Sequence, residues 1–234
     1  MAAGTLDGSV VDATGTRALQ AAQVTIIELG RTVSTARDGS FRFPEVPAGT
    51  YTLYDGAMGT GGMLTVAQDT LTRIARGKRI DTHLYGQEIN AETYAIAKAD
   101  LILTGQGRAA DNIKGGPEYS TLSNDAFGHM TFDFMLSNPP YGKSWKTDLE
   151  RMGGKKGLSD SRFIVEHDGE PEFSLVTRTS DGQMLFMANL LAKMKNDTPL
   201  GSRIAEIHNG SSLFTGDAGQ GESNARRYLI ENDW

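Results

Sequence analysis

The 234 residues carry a formal charge of −6 and a pI near 5.3, with 38% hydrophobic and 22% charged residues, room for one α/β domain or a small module plus one domain. There is no cysteine, which excludes disulfides, thiolate zinc sites and any chemistry that needs a cysteine nucleophile, cytosine-C5 methylation among them. The longest apolar runs are far too short to span a bilayer, and no basic stretch followed by an apolar segment opens the chain, so the cytoplasm is the expected location and no membrane partner is expected.

Residues 1–53 read as short strands separated by turns. GSVVD (8–12) is a brief strand, followed by a turn signal at Ala13, Thr14 and Gly15. Residues 22–28 alternate well enough for a half-buried strand. Residues 32–35 lead into Asp38-Gly39, a hairpin-type dipeptide, and Ser40, Phe41, Arg42 and Phe43 then alternate cleanly. A turn at Pro47, Ala48 and Gly49 passes the chain into residues 50–53. The order GSVVD, AQVTI (22–26) and DGSFRFPEVPAGTYTL (38–53) resembles the carboxypeptidase regulatory-like domain, a small transthyretin-like β-sandwich. That resemblance implies a further strand after Leu53, where this sequence changes character, so the sandwich reads as incomplete. Taken alone, it implies a cell-envelope binding module.

From Tyr54 the texture is α/β. Residues 55–62 form a glycine-rich turn, and Leu64, Ala67, Leu71 and Ile74 fall at helical spacing within residues 63–76. A strand over 82–88, a helix over 91–103, a strand over 132–137, a helix over 184–195 and a strand over 202–208 follow. Strands alternating with helices of this length predict a mostly parallel sheet covered on both faces. The domains are thus expected at 1–53 and 54–234. Because the loop at Asp55 needs a strand before it, residues 50–54 are expected to serve as the first strand of that sheet.

The loop Asp55-Gly56-Ala57-Met58-Gly59-Thr60-Gly61-Gly62 lies between a strand and a helix, where glycines let backbone approach a ligand and the helix N-terminus favours a negative group. Glu88 closes the next strand, where an acid can take both hydroxyls of a ribose. Strand, loop, helix, strand and terminal acid predict a nucleoside-ligand site, with NAD still open. Asn138-Pro139-Pro140-Tyr141 decides against NAD. It follows directly on a hydrophobic strand, at the strand edge where α/β proteins bind ligands. Two prolines fix φ and remove amide donors, leaving a stiff backbone of carbonyl acceptors. The Asn138 side-chain oxygen and the Pro139 carbonyl can orient the lone pair of an exocyclic amine, and Tyr141 offers a ring on which a flipped base can stack.

Residues 54–234 resemble the modification subunit of type I restriction–modification systems, through DGAMGTGGML (55–64), GQEIN (86–90), FDFMLSNPPYGKSW (132–145), NGSSLFTGDAG (209–219) and GESN (221–224). The resemblance implies a class I, Rossmann-like methyltransferase fold and transfer of a methyl group from S-adenosylmethionine to adenine N6, with neither metal nor covalent intermediate. Its partners would be DNA and the specificity and restriction subunits. Asp55, Gly59 and Gly61, with Thr60 and Gly62 beside them, would hold the methionine end of the cofactor and Glu88 its ribose. Asn138, Pro139, Pro140 and Tyr141 would hold the target adenine. Three departures stand out. The family places a helical domain and another cofactor-contacting motif before the glycine-rich loop, where this chain has the β module. It has an acidic position near residues 119–122, where this sequence shows serine. It also continues past Trp234, so the chain reads as a chimera or fragment, and a non-catalytic product retaining at most cofactor binding is the alternative.

Other features are weaker. Lys143, Lys146, Arg151, Lys155 and Lys156 cluster, either as a DNA contact or as a solvated loop. His83, His129, His167 and His208 show no metal-ligand spacing and read as surface or core residues. Met63, Met184, Met187 and Met194 read as core.

Overall fold

The first strands are β1 (Thr5–Ser9), β2 (Gln23–Ile26), β3 (Arg31–Ser34) and β4 (Ser40–Pro44). The computed structural model describes residues 5–12, 14–26, 31–44, 48–75, 77–196, 198 and 201–234. β1 pairs antiparallel with β4, and β2 with β3, giving two separate two-stranded sheets. The hairpin-type turn expected at Asp38-Gly39 is present: the Ala36 amide donates to the Ser40 carbonyl at 2.7 Å and the Gly39 amide to the Ala36 carbonyl at 2.9 Å, with Gly39 at positive φ (73°) and the Asp38 carboxylate accepting from the Ser40 amide at 3.0 Å. The regular strands on either side of it, β3 and β4, pair with β2 and β1. Ala13, Ile27, Glu28, Pro47 and Arg76, which fall in expected turns, strands and helices, lie outside the described residues.

The remaining elements are β5 (Gly49–Asp55), α1 (Gly62–Ile74), β6 (Ile80–Glu88), α2 (Ala91–Leu103), α3 (Gly107–Asn112), β7 (Ile113–Gly115), β8 (Phe134–Ser137), α4 (Lys146–Arg151), α5 (Gly154–Gly157), β9 (Ile164–His167), β10 (Glu170–Ser174), α6 (Gln183–Leu191), β11 (Arg203–Glu206) and α7 (Gly221–Glu231). Strands β11, β8, β5, β6 and β7 lie side by side in that order, and every neighbouring pair is parallel. Residues 50–54 accordingly lie in the middle strand of the α/β sheet, although their sequence completes the resemblance of the β module.

Successive strand residues face opposite sides, and both sides of β5 are buried. Leu53 packs with Leu84 of β6 and with Leu64, Leu71, Ala97 and Leu101 of the layer made by α1 and α2. Tyr54 packs with Phe127, Phe132, Met135 and Leu190 on the other side, its ring stacked on Phe132 at 4.6 Å between centroids. Helices on both faces explain why β8 opens on a continuous apolar run, Phe134-Met135-Leu136. Helix α2 begins where Asn90 accepts the Thr93 amide at 2.9 Å, a cap that stops the strand β6 and aims Glu88 at the sheet edge. The antiparallel pair β9–β10 forms a separate hairpin through Asp168 and Gly169, both at positive φ (52° and 82°).

Candidate functional site

Three of the expected groups meet at the carboxyl ends of adjacent strands. Asp55 ends β5, Glu88 ends β6, and Asn138 follows Ser137 at the end of β8. A parallel sheet puts all of its strand C-termini on one edge, so sequence-distant residues converge there without any further device.

Asp55 is buried, and its Oδ1 accepts from the Ala57 amide at 2.9 Å and from the Ser137 hydroxyl at 2.9 Å. Burial pushes its carboxyl up to about 7, against those two hydrogen bonds, and the nearby carboxylates of Glu206 and Glu88 add to the rise. The loop beyond it divides into packed and open glycines. A Cβ on Gly56 would sit 3.0 Å from the Thr121 methyl and the Tyr54 hydroxyl, whereas one on Gly59 or Gly62 would meet nothing within 4 Å. Gly59 and Gly61 have positive φ (57° and 82°), the second serving as the N-cap of α1. The inner side of the loop is thus filled and its outer side is open backbone. Thr60 is exposed at the tip, and Gly62 is the first residue of α1.

Glu88 grips this loop. Its Oε2 accepts from the Gly59 amide at 3.0 Å and its Oε1 from the Asn90 amide at 2.7 Å. Each oxygen keeps a second lone pair. Asn138 is exposed, Pro139 buried, and Pro140 and Tyr141 exposed. The Tyr141 hydroxyl donates to the Asn138 side-chain oxygen and also lies 2.9 Å from the Ile207 carbonyl. Asn138 is thus engaged by a neighbour inside its own loop.

Sequence reasoning missed the residues that hold this edge together. Gln87, fully buried beside Glu88, donates to the carbonyls of Tyr119 and Asn124 and accepts from the Ala126 amide, clamping the loop after β7. Thr121 donates to the Gly56 carbonyl, and Arg162 holds the carbonyls of Thr121 and Leu122 at 2.7 and 2.8 Å. Ser120, near the position where an acid was expected, is buried. Acids of this loop include Glu118, which is exposed, and Asp125, 2.5 Å from Lys193 and 3.5 Å from Arg162 in a buried ion-pair cluster. Next to Ser137, Glu206 and His208 bond each other at 3.0 Å. Burial pushes the Glu206 carboxyl up to about 7, opposed by His208. His208, taken from sequence as a surface or core residue, is therefore a neighbour of the site.

The basic cluster lies on exposed backbone after the Asn138–Tyr141 loop. Lys146 pairs with Glu150 at 3.8 Å, and Arg151 donates to the Pro117 carbonyl. A cavity of about 890 Å³ lies elsewhere, between β10 and the start of α7, lined by Phe173, Arg178 and Glu222 among others. Lys155 of the basic cluster lines it, and none of Asp55, Gly59, Glu88 or residues 138–141 does.

The model of the N-6 DNA Methylase family matches residues 46–234, and that of the carboxypeptidase regulatory-like domain matches residues 5–72. The two overlap on β5 and α1. The methylase subunit of a type I restriction enzyme of Methanocaldococcus jannaschii is 27% identical over 184 residues, 77% of this chain and 28% of that protein. A second such subunit, from Mycoplasma pneumoniae, is 30% identical over 118 residues, 47% of this chain and 20% of the relative. Among solved structures, the type I restriction-modification system methyltransferase subunit from Streptococcus thermophilus is 27% identical with a TM-score of 0.54, covering 77% of this chain and 33% of that one. The chain thus spans between a fifth and a third of the length of these relatives.

Proposed function

Because this chain belongs to the N-6 DNA Methylase family, we propose that it carries the catalytic core of an S-adenosylmethionine-dependent methyltransferase acting on adenine N6 in DNA. The observation that carries this reading is the convergence of Asp55, the Glu88-held glycine loop and the Asn138–Tyr141 loop on one edge of the parallel sheet. We divide the chain into a β module and a methyltransferase core, with β5 working in the core. The relatives named above are methylase subunits of type I restriction enzymes, and the partners we assign to this chain are the other subunits of such a system and DNA, with the cytoplasm as its location.

The residues fit the cofactor. The Asp55 carboxylate suits an ammonium group, the open outer side of Gly59 and Gly62 lets a ligand lie on backbone, and the spare lone pairs of Glu88 suit ribose hydroxyls. When bound, S-adenosylmethionine supplies an electrophilic methyl group on a sulfonium. The chain's own share is orientation and polarisation. Asn138 Oδ1 and the Pro139 carbonyl accept from the exocyclic amine and turn its lone pair out of conjugation, and the Tyr141 ring stacks on the base. The amine proton leaves to solvent.

Calorimetric titration with S-adenosylmethionine tests the site. Asp55→Ala and Glu88→Ala should each weaken binding roughly ten- to a hundredfold, the loss expected for a charged hydrogen-bond partner. Asp81→Ala serves as control, because Asp81 is exposed near the start of β6 and pairs with His83 at 3.4 Å. Equal affinities for all three variants would remove the assignment.

A further inference from the structure

Tyr141 has one hydroxyl proton and two acceptors within reach, the Asn138 side-chain oxygen and the Ile207 carbonyl at 2.9 Å. It can satisfy one of them fully at a time. When the proton goes to Ile207, Asn138 Oδ1 is released. When it goes to Asn138, the oxygen that would receive an amine is occupied. The position of the Ile207 carbonyl therefore decides whether Asn138 is available.

Ile207 is fixed on both sides. Its amide donates to the Ser137 carbonyl at 3.0 Å. Its neighbours Glu206 and His208 are joined by the Oε2–Nε2 contact of 3.0 Å. The proton on that contact can be counted. The Gln183 amide nitrogen donates to Asp181 at 2.8 Å, and its oxygen accepts from the Asn209 amide at 2.9 Å, so Gln183 Oε1 is an acceptor. His208 Nδ1, 3.2 Å from that oxygen, must then carry hydrogen. With Nδ1 protonated, the Nε2–Oε2 contact is a hydrogen bond only if one further proton lies on it, held by the imidazole or by the carboxyl. The other Glu206 oxygen is buried with no hydrogen-bond partner among the described residues, so loss of that shared proton would leave an uncompensated buried carboxylate.

We propose that Glu206, His208 and Gln183 are positioning residues for the target-base loop: their single shared proton holds the Ile207 carbonyl where it can take the Tyr141 hydroxyl and free Asn138 for the incoming amine. This rests on the reading of residues 138–141 as the adenine site. The other groups facing the pair are Asp55 at the end of β5, with Glu88 beyond it, and Asp181 ahead of α6, reached through Gln183. Loss of the proton repels Asp55 and loosens the turn after β11, and Tyr141 then returns to Asn138.

The test is NMR on the full 234-residue chain with labelled tyrosine and histidine, Tyr141 being assigned by its loss in Tyr141→Phe. The Tyr141 ring signal should move with pH at the same midpoint as the His208 ring nitrogens. Glu206→Gln, which is isosteric and keeps a donor toward Nε2, should abolish that inflection, as should His208→Asn. A Tyr141 signal with the same pH response in wild type and both variants overturns the proposal. Should a variant fail to fold, the wild-type comparison decides alone, since separate midpoints for Tyr141 and His208 also overturn it. Adenosine forms a separate arm. Added to wild type it should shift Tyr141 further, and no shift there, with the His208 coupling intact, counts against the adenine reading and not against the coupling.

Discussion

Asp55 shows how one residue can be poorly placed for stability and well placed for binding. Its carboxyl ordinarily titrates near 3.8 and is pushed up to about 7 by burial. A folded pKa raised above the unfolded one means that the native state binds more protons across that interval. Its contribution to stability is complete below pH 3.8 and is lost as the pH rises toward 7. Glu206, raised from 4.5 to about 7, acts with the same sign. Asp55→Asn removes the penalty. Between pH 5 and pH 8 the wild type should therefore lose stability relative to Asp55→Asn, by on the order of 2 kcal/mol. Chemical denaturation of both proteins at the two pH values measures this, and parallel pH dependence would contradict the assignment. A cation bound beside Asp55 stabilises the ionised form, so cofactor affinity should rise with pH through the same window.

At the scale of elements, the glycine loop contains two kinds of position. Gly86 on β6 lies beneath the loop, and a Cβ there would stand 2.3 Å from Met58 Sδ and 3.2 Å from Met58 Cβ. The Met58 amide is itself bonded to the Gln87 carbonyl at 3.1 Å, which holds the Met58 backbone and its Cβ in place, so only the outer part of the side chain can turn aside. Gly86→Ala should cost about 1–3 kcal/mol as overpacking, read as a lower denaturation midpoint. Gly62→Ala meets nothing within 4 Å and should leave the midpoint unchanged while weakening the cofactor. The reverse ranking would mean that the open side of the loop has been misidentified. Legibility in the sequence followed the same local logic. The helix over 91–103 was readable because the stretch holds neither glycine nor proline, and Asn90 caps it in the structure. The strand over 132–137 was readable, although its regular part is shorter, Phe134–Ser137. β7 escaped because three residues carry no period. Two of the Asp-Gly pairs are more instructive. Asp168-Gly169 makes a two-residue hairpin with both residues at positive φ; Asp38-Gly39 closes a turn between Ala36 and Ser40, but the strands flanking it pair with β2 and β1. The dipeptide permits the turn, but which strands pair is set by partners far away in sequence. For the same reason Asp55, Glu88 and Asn138 could be picked out singly, whereas Gln87, Glu206 and His208 gain their roles from neighbours that only the fold supplies.

The whole molecule sets electrostatics against its proposed substrate. A net charge of −6 repels a polyanion, and the feature that opposes this is the cluster of exposed lysines 143, 146, 155 and 156, just beyond the Asn138–Tyr141 loop. Lys146 is partly neutralised by Glu150, and such an exposed pair is weak. If these four side chains meet phosphates, duplex capture by the chain alone must be governed by counterion release. Affinity then follows salt with a slope of about −0.9 per contact, so raising salt from 50 to 200 mM should weaken DNA binding on the order of a hundredfold. Label transferred from S-adenosylmethionine to duplex adenine should fall in step when DNA is below saturation. At 200 mM it should be little above the Asn138→Ala control unless partner subunits supply the missing DNA contacts. Lys155→Glu with Lys156→Glu should flatten the salt dependence without altering cofactor affinity, because neither lysine belongs to the Asp55–Glu88 edge. Transfer that proceeds well above the control at 200 mM, or that is indifferent to salt, would show that this acidic chain captures DNA by some other surface.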